Sequence, residues 1–158
     1  MRKNITINMG EIAVALASDT DTIETGGIGS CVVITLYDAE AKIGGMAHAM
    51  LPTDKATATH TEKPPAKYVD EAIDALVAET VRQGAKQGRL KAKIVGGARM
   101  FHLLSGENAG IGFQNAEIAK KHLIERGIQI ENEDVGGTVG RNACLQLSNG
   151  LLSVNTTI

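Results

Sequence analysis

Aromatic residues are scarce in this sequence, which has no tryptophan, two tyrosines and two phenylalanines among 158 residues. Proteins that bind single-stranded nucleic acids stack bases on aromatic side chains and attract phosphates with an excess of basic residues. Such an excess is absent here, because 16 basic residues are balanced by 18 acidic ones and the net charge is −2. The composition therefore argues against a nucleic-acid-binding protein.

Long apolar runs are also lacking, since no segment approaches the roughly 20 residues that cross a bilayer. The basic residues Arg2 and Lys3 are not followed by the apolar stretch of a secretory signal. The two cysteines, Cys31 and Cys144, lie far apart in sequence and are expected to be reduced thiols rather than a disulfide. We therefore predict a cytoplasmic protein without membrane insertion, folded as one domain over residues 1–158.

Apolar periodicity predicts both strands and helices along the chain. Alternation over residues 5–17, interrupted at Gly10, is typical of strands, and the Asn-Gly pair at 149–150 predicts a hairpin between two apolar runs. A helical stripe covers residues 69–81, after Pro64 and Pro65 in the expected first turn, and a weaker one covers about residues 113–126. This order favours an α+β fold with a mixed or largely antiparallel sheet and two helices packed on it.

A glycine-rich stretch, Thr25-Gly-Gly-Ile-Gly-Ser-Cys31, precedes the apolar run at residues 32–37. Glycines allow positive φ angles and close approach to the backbone, and such a loop leaves N–H groups free to bind an oxyanion. Gly27, Gly29 and Ser30 are the candidate loop residues. A phosphate-binding loop is less favoured, because the lysine is missing and a strand follows instead of a helix.

A second apolar run, at residues 43–52, contains His48. If residues 38–41 form the connection between the two runs, Cys31 lies directly opposite His48, with Cβ atoms about 4.5–5.5 Å apart. An imidazole at that distance predicts a thiolate–imidazolium nucleophile, with Thr25 or Ser30 orienting the imidazole. The alternative, that Cys31 is a small core residue and His48 a hydrogen-bonded strand residue, stays open at this point.

Metal binding is poorly supported by the spacing of potential ligands. The other histidines, His60, His102 and His122, are scattered along the chain, and neither cysteine has a second ligand at zinc-like spacing. His60 and His122 are predicted to be solvent-exposed, and Cys144 is predicted to be a core residue. We therefore expect no metal and no cofactor.

Several collinear motifs resemble the CheD family of chemoreceptor glutamine deamidases. They cover nearly the whole chain: Thr25-x-Gly27-x-Gly29-Ser30-Cys31, Gly45-Met46-Ala47-His48-x-Met50-Leu51-Pro52, Lys63-Pro64, Lys67-Tyr68, Gly96-Gly97-Ala98-x-Met100-Phe101, Ile111-Gly112-x-x-Asn115, Asp134-x-Gly136-Gly137 and Gly140-Arg141. The resemblance implies a β-sandwich-like core flanked by helices, related to bacterial toxin deamidases. It also implies that Cys31 is the nucleophile, His48 the base and Thr25 the third catalytic residue, with Ser30 in support.

The resemblance further implies a substrate and a partner. Members of the family are protein-glutamine glutaminases that convert glutamine side chains of methyl-accepting chemotaxis receptors to glutamate and release ammonia, and some also hydrolyse receptor methyl esters. Their usual partner is CheC, a phosphatase of the phosphorylated response regulator. The alternative function is a non-catalytic chemotaxis adaptor that binds the receptor or the phosphatase. Intact Cys31, His48 and Thr25 favour the enzyme.

Overall fold

The computed structural model describes residues 3–53, 63–100 and 110–157 of the chain. In chain order, the strands of these residues are β1 (Lys3–Thr6), β2 (Ile12–Leu16), β3 (Thr20–Ile28), β4 (Val32–Asp38), β5 (Ile43–Ala49), β6 (Lys91–Gly96), β7 (Gln129–Val135), β8 (Gly140–Gln146) and β9 (Leu152–Thr157). The helices are α1 (Val69–Arg82) and α2 (Ile111–Glu125), and a short 3-10 turn covers Gln87–Arg89.

The strands form two mixed sheets. A four-stranded sheet has the order β1-β3-β8-β9, and a five-stranded sheet has the order β2-β5-β4-β6-β7. The β1–β3 and β6–β7 pairs are parallel and the remaining pairs are antiparallel. Two helices on mixed sheets confirm the predicted α+β class.

The centre of the five-stranded sheet is buried on both faces, and every residue of β4 and β5 is buried. Residues on one face of it, such as Ile34 and Ala47, form an apolar core with α1 and α2. Residues on the other face, such as Val33 and Met46, form a second core with Ile23 of β3 and other residues of the four-stranded sheet. Because β4 is covered on both sides, its sequence is a nearly continuous apolar run instead of an alternating one.

The helix predictions are confirmed with shifts of a few residues at the ends. Helix α1 starts at Val69, whereas Pro64 and Pro65 were expected in its first turn. The start is later because Tyr68 is extended and forms a bridge with Leu51, which keeps the preceding segment beside the sheet. Neither α1 nor α2, the α-helices in the described part of the chain, is long and apolar enough to span a membrane.

Two side chains differ from the predictions. Cys144 lies on the outer face of the four-stranded sheet, because the inward positions of β8 belong to Ala143 and Leu145. His122 is only partly exposed, since its Nε2 lies 2.7 Å from Asp74 Oδ1, which joins α2 to α1. The hairpin at residues 148–150 is confirmed.

Some predictions fall outside the described residues. These are the predicted solvent exposure of His60 and the position of His102, which fall in residues 54–62 and 101–109.

Candidate active site

The turn between β4 and β5 consists of residues 39–42, one position later than predicted. Asp38 stays in the strand, because its carboxylate accepts hydrogen bonds from the N–H groups of Glu40 and Ala41 and from the Arg89 side chain. The later turn moves the register by two residues. Val33, not Cys31, therefore lies opposite His48, and the predicted pairing of Cys31 with His48 is wrong in register.

The two-residue shift keeps Cys31 and His48 on the same face of the sheet. Val33 faces the four-stranded sheet, and the alternation of β4, continued back by two positions, predicts the same face for Cys31. Such diagonal neighbours are about 7–8 Å apart. The register therefore places Cys31 and His48 at the same end of the sandwich, with no hydrogen bond between the Cys31 sulfur and His48 Nε2.

Thr25 reaches this site from the other sheet. Its Oγ1 lies 2.8 Å from His48 Nδ1 and donates a hydrogen bond of 2.8 Å to the carbonyl oxygen of Ile7. A hydroxyl has one proton, and Thr25 uses it on Ile7, so it accepts from His48. Nδ1 of His48 is consequently protonated, and Nε2 of the neutral imidazole carries the free lone pair.

His48 Nε2 is buried and has no hydrogen-bond partner among the described residues. The side chain is 1% exposed, and burial lowers the pKa of His48 to about 4. A neutral imidazole with an unprotonated Nε2 can accept a proton at neutral pH. Most buried polar atoms have partners, so an unpaired one at this position is typical of a functional site.

Burial raises the pKa of the Cys31 thiol, and a hydrogen bond from the N–H of Cys31 itself acts in the opposite direction. Together with the lowered pKa of His48, this favours a neutral thiol and a neutral imidazole in the resting site. The thiolate–imidazolium pair expected from the sequence is therefore not the favoured resting form.

The segment before Cys31 is held by its carbonyl groups. The carbonyl oxygens of Gly29 and Cys31 accept hydrogen bonds of 2.9 and 2.8 Å from the N–H groups of Ala98 and Gly97. Gly96 has a φ of 113°, and a Cβ there would lie 2.4 Å from the Cys31 carbonyl oxygen, so only glycine permits this approach. The Gly96-Gly97-Ala98 motif thus holds the backbone around Cys31 in place.

Asn115 completes this set of contacts and was not predicted to have a role. Its Nδ2 donates to the carbonyl oxygen of Ser30 at 2.8 Å and to that of Met50 at 3.1 Å. The residue is fully buried in α2. A polar residue at a core-facing position of an amphipathic helix is the signal that could have identified it.

The glycine stretch is only partly a loop. Residues 25–28 belong to β3, where the pairing with β8 is irregular between Thr25 and Ile28, and the connection to β4 consists of residues 29–31. Gly27 has a positive φ of 63°, and its N–H faces Asn142 Oδ1 at 3.3 Å. Ser30 contributes its carbonyl group to Asn115. Gly29 and Ser30 therefore adjoin Cys31, whereas Gly27 lies in the irregular part of the strand.

No cluster of three or more potential metal ligands occurs in residues 3–53, 63–100 and 110–157.

Comparisons with known proteins agree on one family. A family model described as CheD chemotactic sensory transduction matches residues 50–156. The probable chemoreceptor glutamine deamidase CheD of Thermococcus kodakarensis is 42% identical over 92% of this chain and 88% of its own. That of Pyrococcus abyssi is 40% identical over 100% and 94%, and the chemoreceptor glutamine deamidase CheD of Halalkalibacterium halodurans is 42% identical over 97% and 94%.

Among solved structures, the Bacillus licheniformis hypothetical protein YfiH matches 73% of this chain and 50% of its own, with 17% identity and a TM-score of 0.42, too low to support an argument. The family assignment depends on the family model and on the sequence relatives, which extend through Thr25, Cys31 and His48. The chain belongs to the CheD family.

Proposed function

We propose that this chain is a chemoreceptor glutamine deamidase in which Cys31 is the nucleophile, His48 the general base and Thr25 the residue that orients the base. The relatives named above are chemoreceptor glutamine deamidases, which are hydrolases of side-chain amides. The substrate is then the carboxamide of selected glutamines in methyl-accepting chemoreceptors, and the reaction takes place in the cytoplasm.

The observation that carries this proposal is the hydrogen-bond chain from Ile7 through Thr25 to His48. This chain fixes the tautomer of His48, so that the unpaired Nε2 is the basic nitrogen. A residue of this kind has the orienting role that a carboxylate or amide has in other hydrolase triads. A buried cysteine with no catalytic role would not require an oriented imidazole on the same face.

In the first half of the reaction, Nε2 of His48 takes the thiol proton as the sulfur of Cys31 attacks the amide carbon. The carbonyl oxygen becomes an oxyanion, and the backbone N–H of Cys31 can donate to it. The imidazolium then returns its proton to the leaving nitrogen. Ammonia departs, and a thioester joins the substrate to Cys31.

In the second half, His48 takes a proton from water, which attacks the thioester carbon. The C–S bond breaks, the proton returns to the sulfur, and glutamate leaves the site. A receptor methyl ester would form the same thioester with methanol as the leaving group, so the proposal extends to methylesterase activity.

The test is incubation with a purified receptor cytoplasmic fragment, followed by peptide mass spectrometry for conversion of glutamine to glutamate. We expect conversion by the wild type and by Cys144→Ser, which serves as the matched thiol control, but none by Cys31→Ala. Equal conversion by wild type and Cys31→Ala would overturn the assignment of the nucleophile. Binding of the fragment without conversion by the wild type would favour the non-catalytic adaptor.

A CheC-type phosphatase is the proposed partner. Three apolar side chains are exposed beside the site. Met100 adjoins Gly29 and is 43% exposed. Ile111 and Phe113, at the start of α2, are 43% and 52% exposed. Exposed apolar residues of this kind are typical of protein-binding surfaces. Calorimetric titration with a purified CheC-type phosphatase tests the partner, and Phe113→Asp should weaken binding.

A further inference from the structure

Asn115 binds both halves of the candidate site from a third element, α2. One of its two acceptors, Ser30, directly precedes the nucleophile, and the other, Met50, lies two residues after His48. Both acceptors are carbonyl oxygens, so the amide nitrogen must face them. The amide oxygen is then left buried and without a partner among the described residues.

The contact with Ser30 determines the direction of the next N–H group. In a trans peptide the C=O and N–H bonds point in opposite directions. Because Asn115 holds the Ser30 carbonyl toward α2, the N–H of Cys31 points away from α2, to the side opposite the Asn115 amide. A backbone N–H group fixed in this way at the nucleophile is a typical donor to an oxyanion.

Ser30 is distinguished from its neighbours by the kind of donor that holds it. The carbonyls of Gly29 and Cys31 are bound by backbone N–H groups, which a substitution does not remove. Only the Ser30 carbonyl, among these three, is shown to be held by a side chain. Without Asn115 the Ser30–Cys31 peptide is free to rotate, and the N–H of Cys31 is no longer fixed.

We propose that Asn115 is a positioning residue for deamidation, which orients the Ser30–Cys31 peptide so that the N–H of Cys31 is held toward the developing oxyanion. This inference rests on the proposed function of Cys31 as the nucleophile. Asn115 is fully buried and does not touch the substrate. Its contribution therefore concerns the transition state and not substrate binding.

The experiment compares Asn115→Leu, which retains much of the side-chain volume without donors, with Asn115→Ala and with Ala119→Gly. Ala119 is buried one turn later in the same helix, so Ala119→Gly lowers stability without touching the site. All are made in a Cys144→Ser background. Turnover of a receptor cytoplasmic fragment, the rate of Cys31 alkylation by iodoacetamide and the melting temperature are measured for each.

We expect the Asn115 variants to lose about 10- to 100-fold in kcat, with KM changed less than about threefold. Alkylation has no oxyanion, so the loss in kcat should exceed the loss in alkylation rate by about tenfold. Ala119→Gly should lower the melting temperature and leave kcat unchanged.

Wild-type kcat in either folded Asn115 variant would overturn the inference, as would equal losses in turnover and alkylation. If both Asn115 variants fail to fold while Ala119→Gly folds, Asn115 is structural and the inference is also overturned. Activity retained by Cys31→Ala would instead overturn the proposed function, so the two failures are distinguishable.

Discussion

Buried polar side chains lie near both ends of strand β4, but they differ in whether their polar atoms have hydrogen-bond partners. At its C-terminal end, the carboxylate of Asp38 is fully buried and all of its described contacts are favourable. At its N-terminal end, the neighbouring His48 is equally buried, and its Nε2 has no partner among the described residues. Asp38 is on β4 and His48 on the adjacent β5, and the two side chains face opposite cores of the same sheet. Both are buried, so burial alone does not explain the difference.

Asp38 is a satisfied structural group. One of its oxygens accepts from the N–H groups of Glu40 and Ala41, the other accepts from the N–H of Lys86, and the Arg89 Nε is within 3.0 Å of both. Burial raises the pKa of Asp38, but the Arg89 side chain and the N–H groups outweigh burial and lower it to about 2. These contacts stabilise the turn that positions β5.

At the other end, His48 and Asn115 each have one polar atom with partners and one with no partner in the part of the chain that the structure describes. An unpaired buried atom costs about 1–3 kcal/mol of stability, so selection for stability alone would remove it. The proposed function accounts for these unpaired atoms, because it assigns both residues to the site that acts on the substrate. Three variants test this contrast, from the largest expected effect to the smallest.

The largest effect is expected for His48→Gln. We expect kcat to fall about 10³-fold, because the general base is lost, while the free energy of unfolding changes little. The wild-type pH profile should have its acid limb near pH 4, where Nε2 becomes protonated. Turnover assays with a receptor fragment from pH 3.5 to 8 check both expectations. An acid limb near pH 6.5, or activity retained by His48→Gln, would contradict the assigned base.

Asp38→Ala should lower stability and leave activity nearly unchanged. We expect a loss of about 3 kcal/mol in the free energy of unfolding, because the substitution leaves Arg89 and three partly buried N–H groups without their acceptor. The kcat of the folded variant should stay within a few fold of the wild type. Urea denaturation and turnover assays measure the two quantities.

Asp38 and His48 are expected to change the free energy of unfolding in different pH ranges. The pKa of Asp38 is lowered in the folded state, so its stabilisation is present above pH 4 and is lost as the pH falls through about 2. The pKa of His48 is also lowered, so the unfolded state binds more protons than the folded state between about pH 6.5 and 4. The free energy of unfolding therefore decreases as the pH is lowered through that window. Asp38→Ala should remove the first dependence and His48→Gln the second; removal of both by one variant would contradict their independence.

Thr25→Val is expected to have the smallest effect of the three. It removes the acceptor that fixes the His48 tautomer, and we expect about a 10- to 30-fold loss in kcat. Thr25→Ser keeps the hydroxyl and serves as the matched control, with kcat within about threefold of the wild type. Equal losses in both variants would show that the methyl group, and not the hydroxyl, matters.

Local patterns predicted the helices well, and long-range pairing explains where prediction failed. Helix α1 follows from a stripe of apolar residues within one segment, which is information local to residues 69–81. The register of β4 and β5 depends on Asp38, whose partner Arg89 lies 51 positions away in sequence. The sequence of the hairpin alone gives no information about the contact between Asp38 and Arg89, so the predicted turn is one residue early.

The candidate site was predictable in its residues but not in its geometry. The resemblance to the CheD family identified Cys31, His48 and Thr25 together. The hydrogen bond between Thr25 and His48 joins two different sheets, and no local periodicity shows which strands face each other. Asn115 belongs to a family motif, but its acceptors are backbone carbonyls. Every residue has such a carbonyl, so the sequence does not show which ones Asn115 binds.

The position of Thr25 in the four-stranded sheet has a consequence for the newly made chain. Strand β3, which holds Thr25, is fixed between β1 and β8, and β8 in turn pairs with β9 at residues 152–157. Cys31 and His48 can therefore be synthesised and paired long before the hydroxyl that orients the imidazole is held in place. For a nascent or truncated chain that lacks its last two strands, the proposed function predicts a lower activity, because β8 is not there to hold the hydroxyl that orients the imidazole.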